Sequence, residues 1–180
     1  MKRSLFVLCV MGMIVSSTNL AQISTPPTAN PLIGTWKQNM EKSTYSPGPP
    51  PLKGTGAVRQ YAAGDNGAVV AVTFNIDSQG LPSLGAIAAA NYDGKEYAQH
   101  TIATLATSLG SHIGPKVERT ITYNAVNPYT VEIVQRQDGR VVSMSTRTMS
   151  RDGKTMTEHV DYTDPVQGVH VNNVLVFEKQ

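Results

Sequence analysis

The chain has 180 residues, 40% of them hydrophobic, which is enough for one domain with a real core. Only 16% are charged, and fifteen Lys and Arg against thirteen Asp and Glu give a net charge of +2. Lys2 and Arg3 supply two of the fifteen, so the remainder balances at thirteen against thirteen. These figures exclude a basic nucleic-acid surface, a long charged tail, a coiled coil and a disordered chain.

The first 21 residues have the order of a secretory signal peptide. Met1-Lys2-Arg3 is positive, Leu5–Val15 is a continuous apolar run, and Ser16–Asn19 is polar. The apolar run is too short for a stable membrane-spanning helix, which needs about 20 residues. Cleavage is expected after Ala21. Cys9 lies inside the apolar run behind Phe6-Val7-Leu8, without the small residue that precedes a lipidated cysteine. Removing the signal removes the only cysteine, and with it any disulfide, thiolate nucleophile or Cys-ligated metal. No other stretch is apolar enough to span a membrane as a helix. The expectation is an exported protein, periplasmic or extracellular, with no integral membrane segment after signal removal.

Residues 22–33 are polar and Pro-containing, which suits a flexible lead-in. The Ser46–Pro51 cluster is held extended by proline and is neither helix nor central strand. Beyond residue 57 turn signals recur: Asp65-Asn66-Gly67, Asp77–Gly80, Asp93-Gly94, Asp138-Gly139 and Asp152-Gly153. Such pairs tolerate the left-handed backbone of tight hairpins. Between them lie β-rich runs: Ala68–Ile76, Lys116–Tyr123, Tyr129–Arg136, Arg140–Met149, Lys154–Tyr162 and His170–Glu178. In Ala68–Ile76 the even positions Val70, Val72, Phe74 and Ile76 share one face, and Val69, Ala71, Thr73 and Asn75 the other. Repeated hairpins without alternating helices predict an all-β, antiparallel up-and-down meander, either barrel or sandwich. Closure is favoured because it removes exposed strand edges. Leu84–Ala90 is rich in small residues yet lies between turn signals, so a strand is predicted. Ile102, Leu105 and Leu109 have helical spacing, and a short helix or covering loop is predicted over Thr101–Leu109.

Several stretches carry a family resemblance. They are Asn30–Lys37 with its Gly34-Thr35-Trp36, Lys42-Ser43, Ser46-Pro47-Gly48, Tyr92–Tyr97, Ser150–Thr155 and Asn172–Lys179. In order and spacing over most of residues 30–180 they resemble exported, largely uncharacterised bacterial lipocalin-like (calycin-type) β-barrel proteins. The resemblance implies a barrel of about 8–10 strands over 34–180, with short helical or loop segments. It also implies structural roles for Gly34 and Trp36, as lipocalins and fatty-acid-binding proteins carry Gly-x-Trp on their first strand. Trp36 would plug one end of the barrel while Gly34 lets the chain pass closely. The link from about His100 to Pro115 is longer than is usual for the group.

The search for chemistry yields little. His100, His112, His159 and His170 lack the short spacings of a metal site, and no metal or cofactor is predicted. Gly80–Gly85 is not a nucleophile elbow, and Gly54-Thr55-Gly56 lacks the lysine and helix of a phosphate loop. Glu132 and Glu158 could form an acid/base pair across a barrel, but solvated surface groups are the simpler reading. One pattern stands out. Arg119 shares its strand face with Val117, Ile121 and Tyr123, and Glu158 shares its face with Met156, Val160 and Tyr162. A charge on an apolar face is expensive to bury unless it is paired or held by a ligand. Arg119, Tyr123, Glu158 and Tyr162 are therefore the candidate ligand-binding residues, with Arg119 as anchor for a ligand carboxylate. The plainer reading is an Arg119–Glu158 ion pair, or an arginine at the barrel rim. Tyr92, Tyr97, Tyr129 and Tyr162 read more readily as ordinary core or rim aromatics than as ligand platforms.

Two functions compete. One is a non-enzymatic exported protein that binds a small apolar or amphipathic molecule inside the barrel, where Gly85, Ala86, Ala88, Ala89 and Ala90 either leave room or allow close packing. The other is a structural or interaction domain with a filled core and a working outer surface. A continuous internal void would favour the first, and complete packing the second.

Overall fold

A computed structural model describes residues 30–101, 118–164 and 167–180, with backbone alone for Ser83 and Leu84. Ten strands follow in chain order: β1 (Gly34–Thr44), β2 (Gly56–Ala63), β3 (Val69–Ile76), β4 (Pro82–Ala90), β5 (Asp93–Thr101), β6 (Arg119–Asn127), β7 (Thr130–Gln137), β8 (Arg140–Met149), β9 (Thr155–Thr163) and β10 (His170–Lys179). Each pairs antiparallel with its neighbours in sequence, and β1 also pairs with β10, giving a closed up-and-down barrel. Among the described residues helix is confined to one short 3-10 turn, Asp65–Gly67. The signal region, the lead-in as far as residue 29, the predicted helix or loop over Thr101–Leu109 except for Thr101, which closes β5, and His112 lie outside the described residues.

The turn chemistry accounts for the meander. At the β7–β8 hairpin Asp138 and Gly139 both adopt positive φ, 49° and 75°, the handedness that matches the twist of the flanking strands. Leu84–Ala90 is strand, as its flanking turns predicted. Gly85 has a different reason to be glycine, since a Cβ there would sit 2.1 Å from the Thr73 carbonyl oxygen. Around it the β3–β4 register shifts, with Phe74 opposite Gly85 and Asn75 opposite Ser83.

Alternation sorts the side chains. Val69, Ala71, Thr73 and Asn75 turn inward, as do Ala86, Ala88 and Ala90, and the opposite sets face outward. The barrel is packed at one end. There Trp36, Phe177 and Met156 have no exposed surface, and Leu32 retains 1%. The Trp36 indole donates to the Leu32 carbonyl at 2.7 Å, so the packed body takes in Asn30–Ile33 ahead of Gly34. Gly34, at φ +134°, makes room for the Lys179 side chain, whose ammonium lies 5.2 Å from the Trp36 ring and donates to the Pro31 carbonyl. Among the described residues, the opposite end, reached by the β1–β2, β3–β4 and β7–β8 connections, is not filled this way.

Candidate functional site

Above the packed end lies a cavity of about 480 Å³ inside the barrel. Small side chains make the space: Ala57, Ala71, Ala86 and Ala88 contribute little volume on three adjacent strands, β2, β3 and β4. Higher in the barrel the wall is polar, with Asn75, Gln99, Gln135, Gln137, Ser143 and Asn173.

Three charges stand at the lower part of this cavity. Glu158 on β9 is directly opposite Arg147 on β8, because the hairpin between them sets Met149 against Met156. Arg147 donates to Glu158 Oε2 from Nε at 3.2 Å and from Nη2 at 3.1 Å. Arg59 reaches Glu158 from β2, across the positions of β1 and β10, with both guanidinium nitrogens on the carboxylate. Ser145 adds a hydroxyl at 3.3 Å. Burial alone would push the Glu158 carboxyl up, but Arg59 and Arg147 together hold it at about 2. The carboxylate is ionised at neutral pH, and two guanidiniums against one carboxylate leave this buried cluster with one surplus positive charge.

Aromatic faces hold the two cations. The Arg59 guanidinium carbon lies 4.4 Å from the Phe177 ring centre, and that of Arg147 lies 5.1 Å from Tyr61 and 5.9 Å from Tyr123. Tyr92 packs on Tyr123 with ring centres 5.0 Å apart. Burial pushes the Tyr123 hydroxyl up to about 12 and the Tyr92 hydroxyl up as well, so both remain proton donors at neutral pH. Three buried polar atoms here make no hydrogen bond of good geometry within the described protein, Arg147 Nη1, Tyr61 OH and Tyr92 OH, although the Tyr92 hydroxyl lies near the Arg147 guanidinium. Tyr61, Tyr123 and Arg147 all line the cavity.

All four sequence candidates, Arg119, Tyr123, Glu158 and Tyr162, line this one cavity, but not in the predicted partnership. Arg119 does not pair with Glu158. It is half-buried higher in the barrel and donates to Gln137 Oε1 at 2.8 Å, while Glu158 is taken by Arg59 and Arg147. The physical reason is register: Arg119 lies opposite Gln137, and Glu158 lies opposite Arg147. Nor is Glu158 a solvated surface group. Glu132 is exposed, held by Asn124 at 2.9 Å, and forms no pair with Glu158. Tyr129 is on the surface, and no three His, Cys, Asp or Glu among the described residues are grouped to hold a metal ion. No described helix is long and apolar enough to cross a membrane.

Sequence reasoning missed Arg59 and Arg147. Arg147 was within reach, since counting outward from the Ser150–Lys154 turn sets it against Glu158. Arg59 had no such signal, because Glu158 is three strands away around the barrel.

Comparison with known proteins adds little. No family model matches the chain, and no curated protein matches it. Among solved structures, it is similar to the crystal structure of Rv2717c from M. tuberculosis. The identity is 11%, with 83% of this chain and 93% of that chain covered and a TM-score of 0.48. At that level the likeness carries no argument about function.

Proposed function

We propose that this is an exported, non-catalytic, lipocalin-like binding protein whose barrel interior takes a small amphipathic molecule with an acidic group. The observation that carries the reading is Arg147: a buried guanidinium on the cavity wall with one nitrogen unpartnered, in a cluster one positive charge in surplus. Leaving a charge unbalanced in a low-dielectric interior is costly, and a monoanionic head group would remove that cost. Arginine's planar fork suits a carboxylate, and the Tyr61 hydroxyl is a further donor at the same wall. The cavity itself favours binding over the alternative of a packed interaction domain. Export rests on the order of residues 1–21.

Titration of decanoate and decanol against wild type and Arg147→Met tests the head-group role. The methionine keeps most of the apolar stem, and Glu158 keeps Arg59. Decanoate affinity should fall by about 1.5–3 kcal/mol, the range for hydrogen bonds to charged groups, while decanol changes much less. Equal losses for acid and alcohol would sink the assignment.

A further inference from the structure

The β1–β2 seam is paired only over its lower part, where Gly34–Lys37 meet Tyr61–Val58. Beyond Lys37, β1 leaves β2 and continues along β10 through a register shift between Asn39 and Thr44. Backbone pairing between β1 and β2 ends there, and the gap beyond it is bridged only by side chains, Met40 and Gln38 lying against Gly56, where a Cβ would sit 3.7 Å from Met40 Sδ. A second cavity of about 340 Å³ lies in this split. Its walls at Ala57, Arg59, Asn75, Asn173 and Leu175 are also walls of the main cavity. The two spaces are therefore neighbours, divided only by these shared side chains.

Their chemistry differs. Around the main cavity are the unpartnered Arg147 nitrogen and a wall of amides. In the split the nearest polar groups are already satisfied. Gln38 donates to the Tyr45 hydroxyl at 2.7 Å, and that hydroxyl donates to Met40 Sδ at 3.4 Å. Apart from Thr55 and the Arg59, Asn75 and Asn173 walls it shares with the main cavity, what the split offers an incoming group is the apolar surface of Met40, Pro51, Ile76 and Leu175. Met40, Tyr45 and Ile76 on its walls are only half-buried.

We infer that the split between β1 and β2 is a second lobe of the binding site, which takes the apolar arm of a bent ligand whose acidic end lies at Arg147. This rests on the interior-binding reading above and adds the shape and polarity of the ligand. A ligand of this class has a hydrogen-bonding, anionic end and a flexible hydrocarbon end. Methionine is suited to such a wall, since its unbranched thioether adapts to chains of different shape.

The test is chain-length discrimination with octanoate and palmitate as probes, on wild type and on Met40→Trp, whose indole fills the split. Wild type should bind palmitate more tightly than octanoate. In Met40→Trp, palmitate affinity should fall by about tenfold or more, as several buried methylenes lose their place, and octanoate should stay within about twofold. Ile76→Trp fills the lobe from the end of β3 and should give the same selective loss should Met40→Trp fail to fold. Parallel changes for both acids, or none, would overturn the lobe and leave interior binding standing. Failure of wild type to bind either acid would overturn both.

Discussion

Glu158→Gln should lower the free energy of unfolding by about 3–5 kcal/mol at neutral pH, the usual cost of removing one partner from a buried ion pair. The carboxylate is the common acceptor for Arg59 and Arg147, and its removal leaves two buried guanidiniums facing each other without a counter-charge. The neutral amide can accept one of their hydrogen bonds but none of their charge. Urea unfolding measures this directly, with Lys42→Met as the comparison. That change breaks a solvated surface pair with Glu178 at 2.8 Å, and water screens what is lost, so its effect should be far smaller. A Glu158→Gln protein as stable as Lys42→Met would mean that the buried cluster does not hold the barrel together.

Acid should expose the same carboxylate. Unfolded, Glu158 takes its proton near its ordinary value of 4.5, whereas in the folded barrel it resists protonation down to about 2. Between those values the unfolded chain binds more protons, so stability falls as pH drops through this window and is fully present above it. The total loss is of the order of 3 kcal/mol for a shift of this size. Asp93, Asp152 and Glu178 are shifted in the same direction, but they lie on the surface, where solvent weakens the effect. Urea midpoints measured across this pH range should decline steeply for wild type and much less for Glu158→Gln. Equal slopes for the two proteins would assign the acid sensitivity to the surface carboxylates instead.

The parts of this molecule that sequence made legible are those set by local chemistry. Asp138-Gly139 and Asp152-Gly153 mark hairpins because their backbone demands are met within two residues, and the strands beside them, such as Arg140–Met149, follow at once. Strand β2 was harder to see, lying between the proline cluster and the Asp65–Gly67 turn with only Val58 and Tyr61 as strongly β-prone side chains. The candidate site was half legible. Period-2 alternation placed Arg119, Tyr123, Glu158 and Tyr162 on inward faces, and all four line the cavity. Alternation says which face a side chain takes, but not how high on the barrel it stands. Arg119 therefore looked like a partner for Glu158 although it stands near the upper turn, beside Gln137. The closure that brings Arg59 across to Glu158 depends on β1 pairing with β10, a contact between the two ends of the domain that no local pattern encodes.

The central claim is that the barrel interior holds an acidic small molecule at Arg147. Native mass spectrometry of the protein purified from its own host tests this most directly. Wild type should carry a reproducible extra mass that is lost on denaturation, and the released molecule should contain an acidic group and be absent from Arg147→Met. A wild-type mass equal to the chain alone, or a bound molecule with no acidic group that Arg147→Met retains equally well, would contradict the account.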